Sequence, residues 1–150
     1  RPKLPTSMQR AADLVAARLG LSTKQGYGEL LQKLVRHFRS FEPGSPPPDS
    51  GDLYRDLALG KRGICRHRAY AFVVTAHGLG IPARYVFNEA HVFVEVWIPT
   101  QANATRDEQA ESWLRVDLGG PHPSRLDRSR SPPSWRVWTA GCCAEAGGSR

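Results

Sequence analysis

Cysteine is scarce: Cys65, Cys142 and Cys143 are the whole complement. An odd, sparse set describes no disulfide framework. A metal site would have to use Cys65, His67 and His91, or His122 with Cys142 and Cys143. Vicinal cysteines are awkward tetrahedral ligands and no CxxC spacing is present, so no metal and no other cofactor is expected. Long apolar runs are also missing. The longest charge-free stretch, Ala69 to Ala83, is too short to span a bilayer and carries His77. Acidic groups are outnumbered, 14 against 21 basic, for a net charge of +7. Such a balance fits nucleic acid or an anionic surface. The basic residues are scattered, however, and no zinc-finger, helix-turn-helix or aromatic RNA-binding signature accompanies them. A solvated basic surface is expected, and no nucleic-acid partner. No signal peptide is visible, and the chain opens on Arg1 rather than Met. It is therefore expected to come from a longer protein.

What is present is one domain's worth of chain. The 150 residues suffice for a single domain over 1–150, its core at about 27–120 and an irregular segment over 121–150. The 12 prolines and 14 glycines imply long irregular stretches. Thr6 or Ser7 is placed to cap a first helix, in which Met8, Ala11, Ala12, Val15 and Leu19 share a face and which Gly20 ends. Gly26-x-Gly28 lacks a third glycine and a preceding strand, and carries no phosphate-binding weight. A second helix is predicted from Glu29 to Phe41, with Leu30, Leu31, Leu34, Val35, Phe38 and Phe41 inward. His37 sits at the edge of that face as an ordinary boundary histidine. Residues 43–51, rich in proline, cannot be regular. A short helix from Asp52 to Leu59, capped by Asp52, ends at Gly60.

A third stretch, Lys61 to Trp97, carries the chemistry. Gly63 permits a sharp approach to Ile64-Cys65. A helix starts at Cys65, with Ala69, Phe72, Val73 and Ala76 on the inward stripe. Gly78 and Gly80 end it, and Pro82 prevents its return. Ala83 to Asn88 is β-rich. His91 to Ile98 alternates strictly, as does Trp113 to Leu118. After Gly119 the pattern weakens. Trp135 to Trp138 reads as a short edge strand, and Ala140 to Arg150 as disordered.

A thiol attacks as its thiolate, and the unpaired N–H groups of a helix N-terminus favour that anion. Cys65 is so placed, with Lys61, Arg62, Arg66 and Arg68 nearby. A small buried hydrophobe is the plainer role for a free cysteine. The histidines separate by reach. His77 lies roughly 18 Å along the same helix at about 1.5 Å per residue. His67 projects from another face. His91, on a later strand, is able to come over the helix start. In a bulge-free hairpin, His91 opposite Asp117 sets Phe93 opposite Arg115 and Glu95 opposite Trp113, consistent with both alternations. Asp117 is then able to accept the Nδ1 proton and fix the imidazole tautomer. Its plainer role is that of a strand-end turn residue before Gly119-Gly120. Glu95 is the alternative carboxylate.

At these residues the sequence resembles the transglutaminase-like superfamily of papain-type fold, as a bacterial-type member. The motifs are Gly63-Ile64-Cys65 with Arg66-His67-Arg68-Ala69, then Gly80 to Val86, His91 to Trp97, and Trp113 to Asp117. The match covers about residues 53–120. The chain departs from the family at Phe93, where tryptophan is frequent, and at Leu118, where proline is. The resemblance implies an α+β fold: N-terminal helices and a cysteine-bearing helix packed on a mainly antiparallel sheet. It implies Cys65 as nucleophile, His91 as base and Asp117 as orienting acid. The reaction the resemblance implies is acyl transfer from a glutamine carboxamide or peptide bond through a thioester. An amine acceptor makes a transglutaminase; water makes a protease or amidase. The Cys65 backbone N–H is an expected oxyanion donor; the sequence does not identify a second, for which Tyr54 or a residue near it is the candidate. A catalytically silent protein- or envelope-binding module on the same fold is the alternative. An extracytoplasmic domain of a membrane-attached bacterial protein is the expected setting.

Overall fold

The structure, a computed structural model, describes residues 2–89, 91–99 and 112–119. The strand expected at Trp135–Trp138, together with His122, Cys142 and Cys143, lies outside the described residues.

Among the described residues, four helices precede a three-stranded antiparallel sheet, an α+β arrangement. Helix α1 spans Thr6–Arg18. Its cap is Pro5 rather than Thr6 or Ser7: the Pro5 carbonyl receives the Gln9 N–H at 2.8 Å, and no side chain caps the end. Ala12, Val15 and Ala16 turn into the core. Helix α2, Tyr27–Arg39, starts and stops two residues before its expected bounds. The Gly26 carbonyl takes the Leu30 N–H at 3.0 Å, which brings the first turn forward. Leu30, Leu31, Leu34 and Phe38 are buried as the spacing requires, and Phe41 is buried just beyond the helix. His37 donates from Nε2 to the Ala58 carbonyl at 2.7 Å, pinning α2 to the next helix.

Helix α3, Leu53–Gly60, is capped by Asp52, whose Oδ1 accepts the Arg55 N–H at 3.1 Å. The left-handed stop is Lys61, at φ +52°, and not Gly60. Gly60 is small for a different reason. A Cβ there would lie 2.5 Å from the Pro47 ring, so the proline-rich segment is seated on α3.

Helix α4, Cys65–Gly78, is the centre of the domain. Its buried residues do not form the single stripe that the sequence predicts. Arg68, Ala69, Ala71, Phe72, Val74, Thr75 and Ala76 are buried around most of the circumference. The cause is that α1, α2, α3 and the sheet all pack on it.

Strands β1 (Ala83–Phe87), β2 (Val92–Ile98) and β3 (Ser112–Val116) follow in that spatial order. Ala83, Val92, Val94, Val96 and Val116 join the core with α4. The opposite face carries Arg84 on Glu95 at 2.6 Å, Arg84 over the Trp113 ring at 4.3 Å and Arg115 over the Phe93 ring at 3.8 Å. Faces are as the alternation predicts, but the β2–β3 register is slid by two residues. Glu95 stands opposite Arg115, and Trp97 opposite Trp113. A two-residue slide preserves every face, because side chains alternate with a period of two, so the alternation could not distinguish the two registers.

Candidate active site

The approach to Cys65 is built by the chain before it. Glu42 and Arg62 form a parallel bridge, with the Glu42 N–H on the Lys61 carbonyl and the Gly63 N–H on the Glu42 carbonyl, both at 2.9 Å. This fixes the loop to the tail of α2. Gly63 then adopts φ +149°, which side-chain-bearing residues rarely adopt. A Cβ on it would also lie 2.7 Å from the His67 Cβ and 3.0 Å from His67 Nδ1. Ile64 is extended, and its carbonyl takes the His67 and Arg68 N–H groups at 3.0 and 3.1 Å, opening the helix. Cys65 is the first helical residue, a free cysteine only 4% exposed. The first-turn N–H groups of a helix lack intrahelical partners and favour an anion there.

His67 has a local role. Its Nδ1 accepts the Ile64 N–H at 3.2 Å, satisfying one amide just ahead of the helix. Burial, then the neighbouring Arg66 charge, holds its pKa below the ordinary histidine value. A neutral ring is what that bond needs, since a protonated Nδ1 has no lone pair to offer.

His91 and Asp117 are joined directly. His91 Nε2–H donates to Asp117 Oδ1 at 2.9 Å. The same oxygen accepts the Gly119 N–H at 3.0 Å, so Asp117 also serves as the turn residue of its plainer reading. The expected nitrogen was Nδ1. The slid register explains the change: Asp117 lies diagonal to His91 rather than opposite it, and the far ring nitrogen makes the reach. Nδ1 is left as the imidazole's second nitrogen. The His91 side chain is 18% exposed and that of Asp117 34%, so the pair is open to an incoming group. A reciprocal turn holds the histidine, with its N–H on Asn88 Oδ1 at 2.8 Å and its carbonyl receiving the Asn88 N–H at 3.1 Å.

Antiparallel order puts the end of β1, the start of β2 and the end of β3 at one end of the sheet. The α4 N-terminus is tied to that same end. Arg68, one turn into α4, donates from Nη1 to the Leu118 carbonyl at 2.8 Å. The far end of α4 is tied to the opposite end of the sheet by His77, whose Nε2 donates to the Ala83 carbonyl at 2.7 Å. Cys65 thus begins its helix at the end of the sheet that carries His91 and Asp117.

Tyr54 is corrected as an oxyanion candidate, and the runner-up carboxylate Glu95 is engaged elsewhere. Tyr54 is not an oxyanion donor. It is buried, with its hydroxyl 2.8 Å from Thr75 Oγ1, which itself donates to the Ala71 carbonyl at 2.8 Å. Thr75 is roughly 15 Å along α4 from Cys65, at about 1.5 Å per residue. Burial pushes the Tyr54 pKa up to about 12. Glu95, the alternative carboxylate, is engaged by Arg84. Tyr85 of β1 is 45% exposed, and burial, then Cys65, raises its pKa, while Arg66 opposes them. It alternates with Ala83 on the side of β1 that meets α4.

The family model of the transglutaminase-like superfamily matches residues 14–118, and the chain belongs to that superfamily, whose fold is one of cysteine-based acyl transfer. Among solved structures, the periplasmic domain of TgpA from Pseudomonas aeruginosa bound to ethylmercury is similar, with a TM-score of 0.51 and 22% identity. That match covers 77% of this chain and 46% of that one, so the present chain spans less than half of its length. The likeness bears out the transglutaminase-like α+β fold. No curated protein sequence matches. No helix among the described residues is long and apolar enough to cross a membrane.

Proposed function

We propose that this chain is a thiol-dependent acyltransferase domain in which Cys65 is the nucleophile, His91 its acid and base, and Asp117 the group that orients His91. The observation that carries the reading is the 2.9 Å bond from His91 Nε2 to Asp117 Oδ1, at the end of the sheet where Cys65 starts α4. With Nε2–H held by the carboxylate, the tautomer is fixed and Nδ1 is the basic nitrogen.

The thiolate of Cys65 attacks the carbon of a glutamine carboxamide or a peptide carbonyl. A C–S bond forms and the carbonyl electron pair moves onto oxygen, where the Cys65 backbone N–H is the first donor. The imidazolium of His91 gives its Nδ1 proton to the leaving nitrogen. The C–N bond breaks, and ammonia or an amine departs from the thioester. In the second half, His91 takes a proton from an incoming amine or water. That nucleophile forms its bond to carbon, and the C–S bond breaks to return the thiolate. An amine yields a transglutaminase product and water a hydrolase product. The substrate is a protein or peptide. An extracytoplasmic setting in a larger protein is supported by the periplasmic origin of the similar structure.

The test is the pH dependence of iodoacetamide alkylation at Cys65, followed by mass spectrometry, in the wild type and His91→Ala. A Cys–His pair labels quickly well below pH ~8.5, where an ordinary thiol ionises, and His91→Ala moves labelling up to that range. Labelling confined to ordinary thiol pH and indifferent to the substitution refutes the enzyme and leaves a silent binding module. Amine incorporation against ammonia release from a glutamine peptide then separates the two acceptors.

A further inference from the structure

Arg68 is buried, 6% exposed, at the reactive end of α4. It stands one turn after Cys65 and one turn before Phe72, so it shares their inward side. A buried guanidinium persists only where its N–H groups find acceptors. Three main-chain carbonyls supply them: Nη2 to Phe41 at 2.7 Å, Nη1 to Leu118 at 2.8 Å and Nε to Gly63 at 3.4 Å. These carbonyls belong to three separate segments. Gly63 is two residues before Cys65. Leu118 directly follows Asp117. Phe41 lies at the tail of α2, next to the bridge that anchors the cysteine loop. A second arginine acts beside it, since Arg39 Nε donates to the Asp117 carbonyl at 2.9 Å. Successive carbonyls at the end of β3 are therefore held by guanidinium groups from two different helices.

We propose that Arg68 is a positioning residue that sets Cys65 against the His91–Asp117 pair, with Arg39 as its exposed partner. The inference rests on the acyl-transfer function proposed above. Cys65 and Asp117 lie on elements far apart in sequence, and the Arg68 fork bonds the backbone beside both. Its planar geometry sends separate N–H groups to separate carbonyls. A lysine ammonium offers its donors from a single point and cannot reproduce that span. Misplacing a reacting group by about 1 Å costs on the order of a hundred-fold in rate.

The test compares wild type, His91→Ala, Arg68→Lys and Arg39→Gln, each first checked for native circular dichroism. The readouts are the pH profile of Cys65 alkylation and the separate kcat and KM for a glutamine peptide. In the folded Arg68→Lys protein the alkylation profile moves toward that of an ordinary thiol. Its kcat falls about ten- to a hundred-fold with KM little changed. Arg39→Gln shows a smaller change of the same kind. A folded Arg68→Lys with the wild-type profile and kcat overturns the inference, even where His91→Ala confirms the Cys–His pair. Should Arg68→Lys not fold, Arg68→Gln, which removes the buried charge and keeps an amide donor, takes its place under the same criteria. Failure of both to fold assigns Arg68 to stability alone and also overturns the positioning role. Indifference of the wild-type profile to His91→Ala is a separate result: it removes the acyl-transfer function itself.

Discussion

Replacing Gly63 by alanine tests whether the cysteine loop is built as described. Two independent costs meet at this position. The backbone sits at φ +149°, and the added Cβ would lie 2.7 Å from the Cβ of His67 and 3.0 Å from its Nδ1. Holding alanine in such a conformation costs about 1–3 kcal/mol. Relieving the contact means moving His67, which accepts the Ile64 N–H at 3.2 Å. Losing that bond costs about 1 kcal/mol more. Together these reach about 2–4 kcal/mol, a fall in Tm on the order of 10 °C. Gly28→Ala is the matched control. It lies in the first turn of α2, with nothing within 4 Å of an added Cβ. Alanine there is neutral or stabilising by up to about 1 kcal/mol, through the unfolded chain. Thermal unfolding followed by circular dichroism measures both. A Gly63→Ala protein melting within about 2 °C of the wild type refutes the loop geometry.

The pH dependence of stability follows from His67 and His37, whose pKa values burial lowers first; Arg66 adds to the shift at His67, while at His37 the Ala58 bond opposes it and Lys61 adds to it. In the unfolded chain both take a proton near pH ~6.5, while in the fold they stay neutral to lower pH. Stability is therefore full above that pH and is lost as pH falls from it through the folded pKa values. The protein melts lower at pH 5 than at pH 7.5, and His67→Gln, whose amide oxygen is able to accept the Ile64 N–H, has a shallower drop; an equal drop excludes His67 as a contributor. Tyr54→Phe loses its bond to Thr75, about 1 kcal/mol of stability, and leaves acyl transfer within about two-fold of wild type. A large loss of acyl transfer at unchanged stability would restore Tyr54 to the site.

The helices were legible wherever one apolar face meets one partner. Helix α2 is such a case, and its inward residues Leu30, Leu31, Leu34 and Phe38 are the ones the spacing selects. Helix α4 was located correctly, from Cys65 to Gly78, but its burial was misjudged. A periodic stripe assumes one neighbour, whereas this helix is enclosed by three others and a sheet. Glycine is the usual left-handed stop, but here Gly60 is small because Pro47 lies against it, and the left-handed residue is Lys61, one position later.

The site divides along the same line between local pattern and tertiary placement. Cys65 at a helix start follows from the turns, and that placement holds; His91 and Asp117, expected on neighbouring strands, lie just outside them, His91 directly before β2 and Asp117 directly after β3. The register does not follow, because a two-residue slide leaves every side chain on its own face. That slide accompanies a bond from His91 Nε2, rather than the expected Nδ1, to the Asp117 carboxylate. Arg68 was counted only as positive charge near Cys65. Its position between Cys65 and Phe72 on the inward side was the signal that it is buried, since an arginine there must carry its acceptors inward with it. What no local pattern supplied is the identity of those acceptors, the carbonyls of Phe41, Gly63 and Leu118, which come together only when three distant segments close around α4.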